Sequence, residues 1–130
     1  RELSIQSSSD TVGDTERSFT DLEYQQLKNE IERISQVTEF NGAKLLNGQG
    51  DKLDFQIGIY NDAFQDRISF DVQQSDAGVE SLGIGEISVA SKDGAQLSLA
   101  NIDAAIERVG RQCWTLEQSL QNFRTTTSSI

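Results

Sequence analysis

The chain has 130 residues, 35% of them hydrophobic and 25% charged, and a formal net charge of -10. That length fits one domain with a modest core. The acidity argues against nucleic-acid backbones and anionic membranes, both of which select for Lys and Arg. No apolar run approaches the length of a membrane span. His, Met and Pro are all absent, so the common zinc sites and histidine-based general acid–base or triad chemistry cannot be built.

Arg1 to Ser8, RELSIQSS, carries apolar Leu3 and Ile5 and reads as the last turns of a helix. It shows no secretory-signal pattern. SSSDTVGDTERS then supplies a loop rich in helix-capping residues. A second helix is expected over Arg17 to Thr38, capped by Ser18 or Thr20, with Asp21 and Glu23 near the positive end of its dipole. Its apolar stripe is Tyr24, Leu27, Ile31 and Ile34, prolonged at the start by Phe19 and Leu22, and the opposite face, with Lys28, Glu32 and Arg33, is expected to be solvated. Phe40-Asn41-Gly42 ends this helix, with Gly42 suited to a left-handed cap, and Asn47-Gly48 marks a turn. The period then changes to two. Leu53, Phe55, Ile57 and Ile59, followed by Ile68, Phe70 and Val72, predict an antiparallel pair of strands joined by the polar loop 60–67. Leu82, Ile84, Ile87 and Val89 suggest a further short strand, and Ser91 to Gly94 a turn.

The final stretch holds the strongest pattern. Leu99, Ile102, Ile106, Val109, Cys113, Leu116, Leu120, Phe123, Thr127 and Ile130 recur at alternating gaps of three and four, the a/d spacing of a helical seam. A helix from about Gln96 to Ile130 would be roughly 50 Å long, more than a compact globule of this size can enclose. The expected architecture is therefore mainly α with a small β region, and elongated. The ladder reaches the last residue without a stop signal, which favours an intermolecular or interdomain seam. Cys113 is expected to be a small buried hydrophobe on that ladder, and Trp114 to flank it.

Other candidate chemistry is weak. The carboxylate pairs Asp14/Glu16 and Glu30/Glu32 fit no calcium-loop spacing. Gly83-Ile84-Gly85 lacks the strand, third glycine and helix of a dinucleotide site. No catalytic residue, metal ligand or cofactor is assigned.

Three stretches resemble bacterial flagellin. RELSIQ, from Arg1, is similar to the family's RELAVQ-type helix. KNEIERISQVTEFNGAKLLNG, Lys28 to Gly48, resembles its NEIDRI…TxFNGxKLL signature. SLGIGEISVASKDGAQLSLANIDAAIERV, Ser81 to Val109, is similar to the run that opens the family's C-terminal conserved region. The resemblance implies an inner rod domain, 1–130, of three long helices, the first truncated, plus a β-hairpin region. Residues 1–91 would form its N-terminal part and 92–130 its C-terminal helix, with the filament-core segments and outer variable domains absent. The seam of that rod would bring Leu27, Ile31 and Ile34 against Ile102, Ile106, Val109, Cys113, Leu116, Leu120 and Phe123.

The resemblance also implies a non-enzymatic subunit of the extracellular flagellar filament, supporting motility and exported without a cleavable signal peptide. Its partners would be other flagellin subunits, Toll-like receptor 5 and a flagellar export chaperone, with no nucleic acid or membrane; this fragment would be monomeric. Matching positions for subunit packing or receptor contact are Arg1, Glu2, Leu3, Gln6, Glu30 and Arg33. A hook–filament junction protein and a helical module docking an export chaperone are the rival readings. A metalloprotease insertion would need His, which the chain lacks. The chain departs from the family pattern after Val109, where GRQCWTLEQSLQNFR places Cys113 and Trp114 at a usual Arg and a small residue. Gly110 sits mid-helix at a cost of about 1 kcal/mol against Ala.

Overall fold

The computed structural model of the chain describes residues 1–64 and 66–128, with the side chains of 123 and 126–128 outside that description. The expected ladder positions Phe123, Thr127 and Ile130 therefore lie outside the described side chains. The element order is α1 (Glu2–Ser7), α2 (Asp14–Val37), β1 (Glu39–Phe40), β2 (Ala43–Lys44), β3 (Leu53–Gln56), β4 (Arg67–Phe70) and α3 (Lys92–Ser128). The mainly helical architecture with a small β region is the one the periodicities predict.

Both long helices start earlier than the sequence suggests, α2 by three residues and α3 by about four. Gly13, in extended conformation, is the N-cap of α2 and provides no side-chain cap. Asp14 and Glu16 in the first turn instead meet the positive end of the helix dipole. Ser18 and Thr20, the expected caps, lie inside the helix. Their hydroxyls donate back to the carbonyls of Thr15 (2.6 Å) and Glu16 (3.0 Å), a local bond that suits Ser and Thr in a helix as well as at its end. The turn expected at Ser91 to Gly94 opens α3: Ser91 Oγ accepts the Gly94 N–H at 3.1 Å, a side-chain N-cap.

Helix α2 leaves its axis at Thr38, whose hydroxyl donates to the Ile34 carbonyl at 2.6 Å. Gly42 is consequently not a helix cap. Asn41 (φ 52°) and Gly42 (φ 81°) are both left-handed and form the two-residue turn between β1 and β2, where Glu39 pairs with Lys44. Two positive φ values in succession give the primed turn whose twist matches an antiparallel pair. The larger hairpin forms as expected, in the register Leu53↔Phe70 and Phe55↔Ile68. Its ladder stops at Gln56 and Phe70, so Ile57, Ile59 and Val72 fall outside the strands.

The segment 71–91 is the main departure. No strand forms at Leu82 to Val89. The Leu82 N–H donates to Gly78 O and the Ile84 N–H to Val79 O (both 3.0 Å), which coils the chain into turns. Even so it delivers the core: Ile84, Ile87 and Val89 cluster with Tyr24, Ala95 and Ala105, and Leu3, Val79, Leu82 and Ile102 pack against them. Ser4 and Ser98 are fully buried, with their hydroxyl oxygens 2.7 Å apart. Small side chains there let α1 pack against α3. Helix α1 also touches α2, whereas α2 and α3 make little or no direct backbone approach.

Candidate interaction surface

Where a packed seam between α2 and α3 is expected, the described structure has an open groove. Leu27, Ile31 and Ile34 line one wall and Ile102, Ile106 and Val109 the other, around a volume of about 760 Å3. Arg1, Glu2 and Leu3 of α1 sit at its margin. The two walls do not interdigitate: Leu27 is 53% exposed and Ile106 57%. The physical reason is the turn segment 79–89, which takes the buried face of both helices and leaves the ladder residues on the outer side. Further along α3, Cys113, Leu116 and Leu120 are exposed and outside the groove. The expected burial of Cys113 is therefore corrected: the segments that approach this part of the helix lie on its Gln112 side and leave Cys113 exposed. Trp114 beside it is also exposed.

The polar face of α2 is corrected in the opposite direction. Lys28, expected in solvent, is buried, and its Nζ donates to the carbonyls of Gly85 (2.5 Å) and Ile87 (3.0 Å). Glu32 accepts the Val79 N–H at 2.9 Å. Asp21 accepts the Ser88 hydroxyl and the Val89 N–H, both at 2.8 Å. Burial alone would raise the Asp21 pKa, but hydrogen bonds from Ser88, Val89 and Gln25, with Lys28 nearby, outweigh it and hold the carboxyl below its ordinary value. These side chains fasten α2 to a turn segment whose backbone groups have no helix or sheet to satisfy them. Arg17 performs the same service for α1. It is buried, with Nε donating to Ser7 O at 2.9 Å and Nη2 to Ser9 O at 2.8 Å. None of these anchors is visible from sequence spacing, because most of their partners are backbone groups, and the partners of Lys28, Glu32 and Asp21 lie in an irregular segment some 50 to 70 residues away in the chain.

The surface candidates fall into two groups. Arg1, Glu2 and Leu3 lie together at the groove margin, while Gln6, Glu30 and Arg33 do not line it. Arg1 pairs with Asp103 through Nε–Oδ1 (2.6 Å) and Nη2–Oδ2 (3.1 Å), linking α1 to α3. That hydrogen bond raises the Arg1 pKa and lowers that of Asp103. Arg33 pairs with Glu30 one turn away, at 2.6 and 2.8 Å, and holds the Glu30 carboxyl below its ordinary value. Glu2 and Gln6 are exposed, and Leu3 is half-buried against the core. Among the described residues no group of three or more His, Cys, Asp or Glu could hold a metal ion, and no helix is long and apolar enough to cross a membrane. The surface is thus equipped for contact through apolar burial and ion pairing.

Comparison with known proteins shows what the chain as a whole is similar to. Residues 1–51 match the family model described as the bacterial flagellin N-terminal helical region. The "Flagellar filament 30.7 kDa core protein" of Treponema maltophilum is 29% identical over 123 residues, covering 86% of this chain and 43% of that protein. The flagellin of Halalkalibacterium halodurans is 30% identical over 109 residues, covering 84% and 39% respectively. The phase 1 flagellin of Salmonella naestved is 38% identical over 89 residues, 68% of this chain and 16% of its own. The chain thus spans less than half the length of these curated relatives. In structure, the crystal structure of Bacillus cereus flagellin superposes with a TM-score of 0.79 at 24% identity, covering 99% of this chain and 72% of the other, which establishes the shared fold. The family model at the N-terminus, the relatives along most of the length and the common fold agree, and the chain belongs to the bacterial flagellin family.

Proposed function

We propose that this chain is part of a structural subunit of the bacterial flagellar filament, in an extracellular appendage that serves motility. The observation that carries the reading is the open apolar groove between α2 and α3, with Leu27, Ile31 and Ile106 left in water. Burying such surface against other helices is worth roughly 25 cal/mol per Å2, and a subunit that assembles gains this on assembly. The name of the Treponema maltophilum relative, a flagellar filament core protein, supports the same role. In this reading residues 1–91 and 92–130 are the two arms of an inner rod domain. Arg1, Glu2, Leu3, Gln6, Glu30 and Arg33 belong to its packing surface, and the ladder along α3 to its helix seam. The subunit leaves the cell without a cleavable signal peptide, after handling by an export chaperone.

Immunogold labelling of intact flagella of the source bacterium, with antibody raised against this chain, tests the role. Label along the whole filament is the expected result. Label confined to the base of the filament would favour a hook–filament junction protein, and unlabelled flagella would remove the reading. The same surface is proposed to meet Toll-like receptor 5, with exposed Glu2, Gln6 and Arg33 available for contact. A reporter assay on cells bearing that receptor should respond to the chain and respond less to Leu3→Ala; silence from the unsubstituted chain would refute receptor recognition while leaving the filament role standing.

A further inference from the structure

A second cleft, polar and of about 610 Å3, lies between β4 and the second half of α3. Its walls gather Lys52, Arg108 and Arg111 in a chain with 11 Lys and Arg against 21 Asp and Glu. Arg108 is already engaged, donating to the Ser81 carbonyl. Among the described residues, Lys52 and Arg111 have no side-chain hydrogen bond or ion pair. Asp71, the one carboxylate in the lining, is turned toward its own backbone, accepting the N–H groups of Gln73 (3.0 Å) and Gln74 (3.3 Å). Gln112 ties the walls together by donating to the carbonyls of Gln74 (3.0 Å) and Asp76 (3.3 Å). A braced cleft with three cations to one carboxylate, two of those cations unpaired among the described residues, attracts further carboxylates on an otherwise acidic molecule.

The complementary charge is on the molecule itself, at its other end. Lys92 pairs with Asp10 at 2.5 Å, which sets the loop before α2 beside the first turn of α3. Two acidic first turns therefore share one end. Asp10 and Asp14 are paired there, to Lys92 and Arg17, whereas the side chains of Glu16 and Asp93 are exposed and, among the described residues, unpaired. About 27 Å of helix axis separates Asp93 from Arg111, too far for one molecule to satisfy both.

We propose that the cationic cleft of one copy receives the acidic end of a second copy, Glu16 and Asp93 pairing with Lys52 and Arg111. The proposal rests on the filament-subunit reading, which supplies neighbours at high local concentration. A contact made from two different surfaces repeats head to tail and does not close into a dimer. All four side chains are exposed, so the attraction is screened over about 10 Å at 0.1 M salt. It sets register between neighbours already in contact, and by itself leaves the chain monomeric.

Zero-length carbodiimide cross-linking of a mixture of isotopically heavy and light copies of the full chain, read by peptide mass spectrometry, tests it. The expected product at low salt is a heavy–light amide between Lys52 and Glu16 or Asp93. Its yield falls to background at high salt and in Arg111→Glu, which keeps the reactive Lys52 and, at an exposed position, the same helical circular dichroism. Heavy–light products that join Lys52 to other carboxylates, or an unchanged yield in Arg111→Glu, would overturn the proposal. Gold label along the flagellum together with either of those outcomes would reject this contact and retain the filament role.

Discussion

Lys28 shows how much one side chain carries in a fold with so little regular structure around its core. Its ammonium serves the carbonyls of Gly85 and Ile87, and Gln25 also donates to Ile87 O at 3.2 Å. Replacing Lys28 by Met removes the Gly85 bond outright. The expected loss is about 1–3 kcal/mol, measured as a lower urea midpoint by circular dichroism; an unshifted midpoint would mean that water replaces the ammonium. Asp21 adds a pH dependence. Its carboxyl titrates lower in the folded chain than in the unfolded one, so the stability it contributes is complete above the unfolded value and is lost as pH falls through the folded value. Unfolding midpoints should therefore decline below about pH 4. Asp21→Asn should flatten part of that decline, leaving the shares of Asp10, Glu30 and Asp103, whose pKa values are also lowered by their basic partners. A profile identical to the parent's would exclude Asp21 as a source.

At the level of elements, the regular periods were legible and the irregular ones were not. Tyr24, Leu27, Ile31 and Ile34 announce α2, and Leu53, Phe55, Ile68 and Phe70 the larger hairpin, because one repeating backbone geometry imposes one repeating pattern. Ser18 and Thr20 do not mark the start of α2, because their hydroxyls bond equally well inside a helix. Leu82, Ile84, Ile87 and Val89 suggest a strand but form none, because their apolar spacing comes from burial of successive turns and not from a pleated strand. The ladder of α3 correctly predicted a long helix but not how much of it is covered, since coverage depends on segments distant in sequence. The polar anchors Arg17, Lys28 and Asp21 were hidden for the same reason. Gly110 and Gly42 make a contrasting pair. A Cβ on Gly110 would meet nothing within 4 Å, and no positive φ protects it. Gly110→Ala should stabilise the chain by about 0.5–1 kcal/mol through helix propensity. Gly42 also has open space around it but sits at φ 81°. Gly42→Ala should cost about 1 kcal/mol in backbone strain. Thermal melts of the two variants should move in opposite directions, and a fall in both would show that Gly110 has a packing role.

On the scale of the whole molecule, apolar side chains divide between a small core and an outer groove, and the two should respond differently to substitution. Leu27→Ser and Ile106→Ser touch half-exposed groove walls. They should change stability by no more than about 0.5 kcal/mol while lowering the binding of a fluorescent hydrophobic dye to the native chain. Equal dye binding in both variants and the parent would place the accessible apolar surface elsewhere. The position of the core has one more consequence. Tyr24, Ile84, Ile87, Val89, Ala95 and Ala105 all lie beside the first half of α3, and the stretch from Thr115 to Leu120 rests on little more than the rim of the polar cleft. A helix without tertiary packing is marginal in water. The two halves of one continuous helix therefore have different local stabilities, so amide hydrogens near Ala95 and Ala105 should exchange with solvent on the timescale of global unfolding. Those near Thr115 to Leu120 should exchange by fraying, orders of magnitude faster. The helix is rigid where the fold is closed and compliant where a neighbouring molecule would have to fit.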